Sequence, residues 1–439
     1  MDHFQHSPQV AIADLLQYVG QEICLNGTVE TVRDQKRMQF LILRVGDRAV
    51  QVAHEKAGSS ELSEAVTSLT TGSAVGISGE VRKAPQVKLG GVEISMSEMS
   101  IYSLAEAPLP ILEDSSPDKQ MDWRQLSLRR PEMRLAIRTQ TVLEQAMRRW
   151  WETHDFLEIH SPKLMGTFSE SGAEVFRLDY FGGSAFLAQS PQFYKQMAMA
   201  GGLDRVFEIG PAFRAEPSFT TRHETEFTSI DMEIAWTASH RDLLALEEQW
   251  LAASIGHVDE VLGPQIADVF GVNLVPPRPP FPRVTMAEAQ EIVRNTGYAP
   301  HRTDDLDPEA ERRLSAFVLE RFGHEFVFVT DYPATARPFY HARHPDRPEL
   351  TQSFDLLWNG VEITTGAQRE HRYDHLRRQA VERGYALGPL ESYLNFFRYG
   401  CPPHGGMGVG LARLLMVMLG RQSVREVILL SRTPKRLSP

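Results

Sequence analysis

Cysteine is scarce: Cys24 and Cys401 are the two in 439 residues, far apart and in no metal-ligand spacing. A disulfide framework is therefore not expected, and no His/Cys cluster points to zinc. Two reduced thiols suit a cytoplasmic protein. Long apolar runs are also missing. No stretch of about 18 apolar residues occurs, so no membrane span is expected. Met1-Asp2-His3-Phe4 opens no basic-then-apolar leader, so a secretory signal is not expected either. A cationic surplus is absent as well: 46 Lys and Arg against 57 Asp and Glu leave a net charge of −11. That argues against indiscriminate nucleic-acid binding and against DNA as a partner, while leaving room for a local basic groove. Internal repeats and low-complexity tracts are not found. What remains is 42% hydrophobic and 23% charged, the composition of a soluble globular protein. The length implies two or more domains.

The chain reads in three parts. Residues 1–103 contain short β-rich runs at Glu22–Arg33, Met38–Val45 and Arg48–His54, a helical stripe over Ser60–Leu69, then strand-like Ala74–Arg82 and Val92–Tyr102. Three strands, a helix and two strands is the order of an OB-fold barrel. Residues 104–131 are proline-rich and polar, around Ala107-Pro108-Leu109-Pro110 and Asp114–Asp118, and read as a linker or hinge. From 132 to 439 a strong helix over Met133–Glu152 leads into strands and helices that do not alternate as βαβ units. The expected fold is an α+β domain with an antiparallel or mixed sheet flanked by helices. Helices are expected at Ser239–Ser254, Met286–Asn295 and Pro308–Arg321.

Chemistry concentrates in a few segments. Phe213-Arg214-Ala215-Glu216 is followed by Arg222-His223-Glu224 and Glu226-Phe227, and Gly408-Val409-Gly410-Leu411-Ala412-Arg413 lies near the C-terminus. A fixed guanidinium offers a planar fork that can hold a carboxylate and a phosphate oxygen together, which lysine cannot reproduce. Glycine before a helix permits close backbone approach. Each segment alone would as readily be a surface salt bridge or an ordinary turn. Both together, behind Phe156-Leu157-Glu158-Ile159-His160-Ser161-Pro162, resemble the three motifs of class II aminoacyl-tRNA synthetases. Gln189-Ser190-Pro191-Gln192-Phe193-Tyr194-Lys195-Gln196 resembles the amino-acid-binding segment of the aspartyl-tRNA synthetases within that class.

The resemblance implies roles. Arg214 would meet the aspartyl carboxylate and the α-phosphate of ATP, with Arg413 the second catalytic cation. Glu216, Arg222, His223, Glu224, Phe227, Glu362 and Gly410 would complete the ATP site, Phe227 stacking on adenine. Glu170, Gln192, Lys195, Thr365 and Arg369 would bind L-aspartate, Lys195 and Arg369 flanking its side-chain carboxylate and Glu170 meeting its ammonium group. Glu362 and Thr365 would lie near Mg²⁺ on the ATP phosphates, with Asp355 a further candidate. Arg33, Phe40 and Gln51 match in spacing the anticodon-reading residues of the aspartyl enzymes, where an aromatic stacks on an unpaired base and polar groups meet base edges. The first motif implies a homodimer. Ala412 departs from the pattern, since most relatives carry an acidic residue there, and its loss would loosen Arg413.

The resemblance implies an ATP-dependent ligase that joins aspartate to tRNA through aspartyl-adenylate. Two alternatives stay open: an asparaginyl-tRNA synthetase, disfavoured by Lys195, and a tRNA-binding paralogue with impaired catalysis, supported by Ala412. About 165 residues separate Trp236 from Cys401, too few for the inserted domain of the long bacterial form, so the chain resembles the compact archaeal and eukaryotic type. Gly27-Thr28 stands where strict archaeal enzymes often have Gly-Trp, which leans toward charging tRNA(Asn) as well as tRNA(Asp).

Overall fold

The computed structural model describes residues 10–112, 114–168, 174–217 and 220–439. By its internal contacts the chain divides into two compact units, Met1–Leu126 and Ser127–Pro439.

In the first unit five strands close into a barrel: β1 (Glu22–Asp34), β2 (Met38–Val45), β3 (Arg48–Glu55), β4 (Ala74–Lys83) and β5 (Val92–Ser103), in the order β1-β2-β3-β5-β4. Helix α1 (Ser60–Ser68) lies between β3 and β4, its first turn capped by the Ser59 side chain on the amide of Leu62. Period-two alternation builds the wall: Leu41 and Leu43 of β2 are buried inside, while Phe40 and Ile42 turn outward. Ile12–Tyr18 forms an unanticipated 3-10 turn that buries Leu15 in the barrel core. The segment expected to be an open linker carries two short helices, α2 (Pro117–Asp122) and α3 (Arg124–Ser127). Ser116 caps α2 ahead of a first-turn proline, a helix-start signal that proline-rich composition concealed.

The second unit is built on one large sheet. Its elements run α4 (Pro131–Glu152), β6 (Leu157–Glu158), β7 (Leu164–Met165), β8 (Arg177–Tyr180), β9 (Gly183–Leu187), α5 (Gln192–Ala200), β10 (Arg205–Phe213), β11 (Glu226–Ala235) and α6 (His240–Phe270). Then come β12 (Arg283–Thr285), α7 (Met286–Asn295), α8 (Pro308–Phe322), β13 (Phe326–Thr330), β14 (Ser353–Trp358), β15 (Val361–Gln368), α9 (Tyr373–Glu382), α10 (Leu387–Arg398), β16 (His404–Gly410) and α11 (Leu411–Met418). The sheet order is β12-β13-β14-β15-β16-β11-β10-β6, antiparallel except for the outer pairs β12–β13 and β10–β6. β7, β9 and β8 form a separate small sheet.

Sequence punctuation misled at α6, which runs to Phe270 rather than stopping at Ser254. Gly256, Gly263 and Pro264 suggest an end there, but Ile255, Val258, Leu262 and Ile266 carry the buried stripe onward at helical spacing. Burying that stripe outweighs the lost proline hydrogen bond. The helix ends at Gly271, in the left-handed region at φ 70. Among the described residues no helix is long and apolar enough to cross a membrane.

The two faces of the sheet differ because the strands alternate. On β11, Ile230 and Met232 point into the main core, where α4, α6 and α11 pack, while Ser229, Asp231 and Glu233 point to the opposite face. On β16, Met407 and Val409 join the core and their glycine neighbours face the acidic side. That second face is the floor of a cavity.

Candidate active site

A cavity of about 450 Å³ opens over β11, β15 and β16. Its floor depends on glycine. A Cβ on Gly406 would lie 2.0 Å from Glu233 Oε2 and 2.2 Å from the carbonyl of Met232, so β16 can pass this close to β11 only without a side chain there. A Cβ on Gly408 would come 3.2 Å from Asp231 Oδ1. Gly410, singled out in the sequence, has no comparable crowding.

Buried charges form a chain beneath and along this floor. Lys195 of α5 is 1% exposed, and its ammonium donates to Asp231 Oδ1 at 2.8 Å and to the carbonyls of Met407 (3.2 Å) and Met232 (3.3 Å). Glu233 Oε2 lies 3.4 Å from the same Nζ. Arg369 grips Glu233 from the other side, Nε to Oε1 at 2.9 Å and Nη2 to Oε2 at 3.4 Å, and its Nη1 donates to His341 Nε2 at 3.1 Å. Burial pushes the Glu233 carboxyl up, but Arg369 and Lys195 outweigh it and hold it below its usual range. His341 is driven the other way: burial and then Arg369 keep it well below the usual imidazole value, so it stays neutral and can accept. Asp231 and Arg369 line the cavity, whereas Lys195 sits one layer behind Asp231.

A second group surrounds the other end. Arg214 lies with its guanidinium carbon 5.3 Å from the centre of the Phe227 ring and its Nη1 3.8 Å from Glu216. β10 and β11 fix this pair by register, Ala212 opposite Phe227 and Phe213 opposite Glu226. Glu216 Oε2 is also 3.8 Å from His223, whose imidazole is held below its usual value by burial and then by the Arg413 charge. Burial pushes the Glu224 carboxyl up to about 7. Arg413, from the first turn of α11, donates to the carbonyls of Arg222 (3.3 Å) and Glu362 (3.2 Å) and lies 3.6 Å from Glu362 Oε1. These three contacts orient it even with Ala412 beside it. Thr365 donates to Glu362 Oε1 at 3.0 Å, so carboxylate and hydroxyl face one spot. Asp355 pairs across the strands with Thr365; Arg337 meets its Oδ2 at 2.5 Å, and burial holds its carboxyl up.

The cavity thus gathers Gln192, Arg214, Glu216, Arg222, His223, Glu224, Phe227, Glu362, Thr365, Arg369, Gly410 and Arg413. Glu170 lies outside the described residues. Ser229, Asp231, Arg337, Tyr340 and His341 also line it and were given no role from the sequence. Asp231 had a readable signal, the Ser229-x-Asp231-x-Glu233 alternation on a strand. Arg337, Tyr340 and His341 come from a loop between β13 and β14 and had none.

Arg33, Phe40 and Gln51 lie in the other unit. Arg33 of β1 pairs directly with Phe40 of β2, and Gln51 of β3 pairs with Ile42, two residues along the same face. All three therefore share the outer face of β1-β2-β3, with Arg33 exposed and Phe40 and Gln51 half-buried. Gln51 donates to Glu93 Oε2 at 3.0 Å.

Comparison with known proteins places this geometry. The chain is 39% identical over 425 residues to the aspartate–tRNA(Asp) ligase of Thermococcus kodakarensis, covering 96% of this chain and 97% of that one. It is 37% identical over 441 residues to the aspartate–tRNA(Asp/Asn) ligase of Aeropyrum pernix, covering 98% and 99%. The crystal structure of asparaginyl-tRNA synthetase from Pyrococcus horikoshii complexed with asparaginyl-adenylate superposes with a TM-score of 0.91 at 31% identity, covering 98% of this chain and 100% of that one. Residues 116–434 match the family described as tRNA synthetases class II (D, K and N), and the chain belongs to that family.

Proposed function

We propose that the protein ligates L-aspartate to tRNA in two steps, through aspartyl-adenylate, with ATP as co-substrate. The observation that carries this reading is one cavity whose ends differ in chemistry. One end offers an acid and a cation, Asp231 and Arg369, backed by Lys195; the other offers Arg214, Arg413 and an aromatic ring. An amino acid with a carboxylate side chain suits the first end, its ammonium group to Asp231 and Gln192 and its side chain to Arg369. Asparagine would leave the guanidinium facing a neutral amide in a desolvated place, which costs affinity.

Arg214 would span the aspartyl carboxylate and the α-phosphate, with adenine against Phe227 and the distal phosphates toward Arg222, His223 and Arg413. Attack by the carboxylate on the α-phosphate forms aspartyl-adenylate and expels pyrophosphate. The terminal adenosine hydroxyl of tRNA then takes the aspartyl group and AMP leaves. Positioning and charge neutralisation carry the rate, and no protein nucleophile is required. Glu362 and Thr365, with Asp355 behind them, are hard oxygen donors that fit Mg²⁺. Among the described residues no three His, Cys, Asp or Glu side chains gather closely enough to hold a metal by themselves. When bound, Mg²⁺ would neutralise phosphate charge. Arg33, Phe40 and Gln51 would read the anticodon, and the enzyme would work as a cytoplasmic homodimer.

Amino-acid-dependent ATP–pyrophosphate exchange, followed by charging of transcripts with GUC and GUU anticodons, tests the reading. Aspartate should support exchange and asparagine should not, by about a hundredfold or more. Charging of both transcripts is expected, given Thr28 after Gly27 in β1. Exchange driven by asparagine instead would overturn the substrate assignment.

A further inference from the structure

Residues 283–330, which carry β12, α7, α8 and β13, contribute no side chain to the cavity lining. A hydrogen bond ties them to a cavity-lining side chain. Glu311, in the first turn of α8 and 8% exposed, accepts from Nη1 of Arg222 at 2.8 Å. Nη2 of the same guanidinium donates to the carbonyl of Gly360 at 3.2 Å. Gly360 occupies the turn between β14 and β15 at φ 78, and a Cβ there would lie 2.9 Å from Cα of Arg312, so α8 packs directly against that turn. The backbone of Arg222 is held too, its carbonyl accepting from Arg413 Nε at 3.3 Å. A cavity-lining arginine on a loop is thus tied down at both terminal nitrogens and at its own carbonyl.

We infer that Glu311 is a positioning residue for nucleotide binding: it anchors the Arg222 guanidinium so that the remaining N–H groups face the distal phosphates of ATP. This rests on the reading of the cavity as an ATP site. An arginine is entropically costly to order, and an anchor on its far side removes that cost before the ligand arrives. Burial, with the Glu362 charge nearby, pushes the Glu311 carboxyl up to about 8 against the pull of Arg222. An ion pair serving stability alone needs no cavity-lining partner.

The test uses the full-length protein and four variants: Glu311→Ala, Glu311→Gln, Arg222→Ala and the double variant Glu311→Ala/Arg222→Ala. Affinities for ATP and AMP are measured by calorimetry, and KM values for ATP and aspartate by pyrophosphate exchange. Glu311→Ala should weaken ATP about tenfold and Glu311→Gln less, since the amide oxygen still accepts. AMP, which lacks the distal phosphates, and the KM for aspartate should stay within about twofold of wild type. The double variant should bind ATP no worse than Arg222→Ala. Equal losses for ATP and AMP, unchanged or tighter ATP binding, or additive losses in the double variant would each overturn the anchor. Wild-type protein that exchanges normally beside indifferent Glu311 variants refutes the anchor alone. Wild-type protein that binds no ATP refutes the cavity reading as well.

Discussion

Lys195 shows what recognition of a segment leaves open: the residue is identified and its partners in the fold are not. Its neighbours in sequence identify the segment, and the sequence reading sets it against the substrate carboxylate. In the fold its ammonium lies between Asp231 and Glu233, both buried, and Asp231 is the group that lines the cavity. No local pattern could show this, because the two acids arrive from a strand 36 and 38 positions away and are paired by packing. Replacing Lys195 therefore has two consequences. Lys195→Leu should abolish aspartate activation while ATP binding persists. It should also lower stability by about 3–5 kcal/mol, because two buried carboxylates lose a partner. Denaturant unfolding beside pyrophosphate exchange checks both, and an unaltered midpoint would refute the buried pairing.

At the level of elements, the barrel strands read more faithfully than helix α6 or the linker. The barrel strands lie within a residue or so of their sequence boundaries because inward apolar and outward polar positions alternate, and a one-residue slip would expose the core. The outer face of β1-β2-β3 is the surface that should meet RNA. Phe40→Ala is expected to raise the KM for tRNA by the equivalent of about 1–3 kcal/mol and to leave aspartate-dependent exchange untouched. Equal charging kinetics would contradict that role. Helix α6 hides a different feature. Glu247 is fully buried on it beside Thr364, and burial pushes its carboxyl up to about 8. Between an unfolded-state value near 4.3 and the folded value, the native protein holds a proton that the unfolded chain has released. Stability contributed by this group is complete at low pH and is lost as pH rises toward 8, by at most about 1.4 kcal/mol per pH unit. Glu247→Gln should remove that dependence. Its melting temperature relative to wild type should climb from pH 5 to pH 8 and then level off. A difference flat across that range would show that Glu247 is charged in the native state.

For the molecule as a whole, the core inside the barrel is separate from the main core of the second unit, between the large sheet and α4, α6 and α11. A ligand held by the cavity should therefore protect one unit selectively. A non-hydrolysable aspartyl-adenylate analogue at a hundred times its Kd stabilises its site by about 2.7 kcal/mol. Hydrogen exchange should slow in the strands and helices of residues 127–439 and stay unchanged in the barrel strands. Equal protection in both units would mean that the analogue binds elsewhere or that the units respond together.

The sequence by itself determined the local events: the barrel's strand order, the helix over Met133–Glu152, and the arginine-bearing segments around Arg214 and Arg413 with the glycines before the second. Each depends on periodicity or on neighbours within a few residues, which a linear chain displays. Tertiary structure alone decided where charge is kept. It put Lys195 behind Asp231, brought Arg369 onto Glu233 across 136 positions, tied Arg222 to Glu311 across 89, and drew Arg337 and His341 in from a loop. Such contacts are fixed by which faces pack and by strand register. Coulomb energy depends on distance and burial, and neither is a property of residue order.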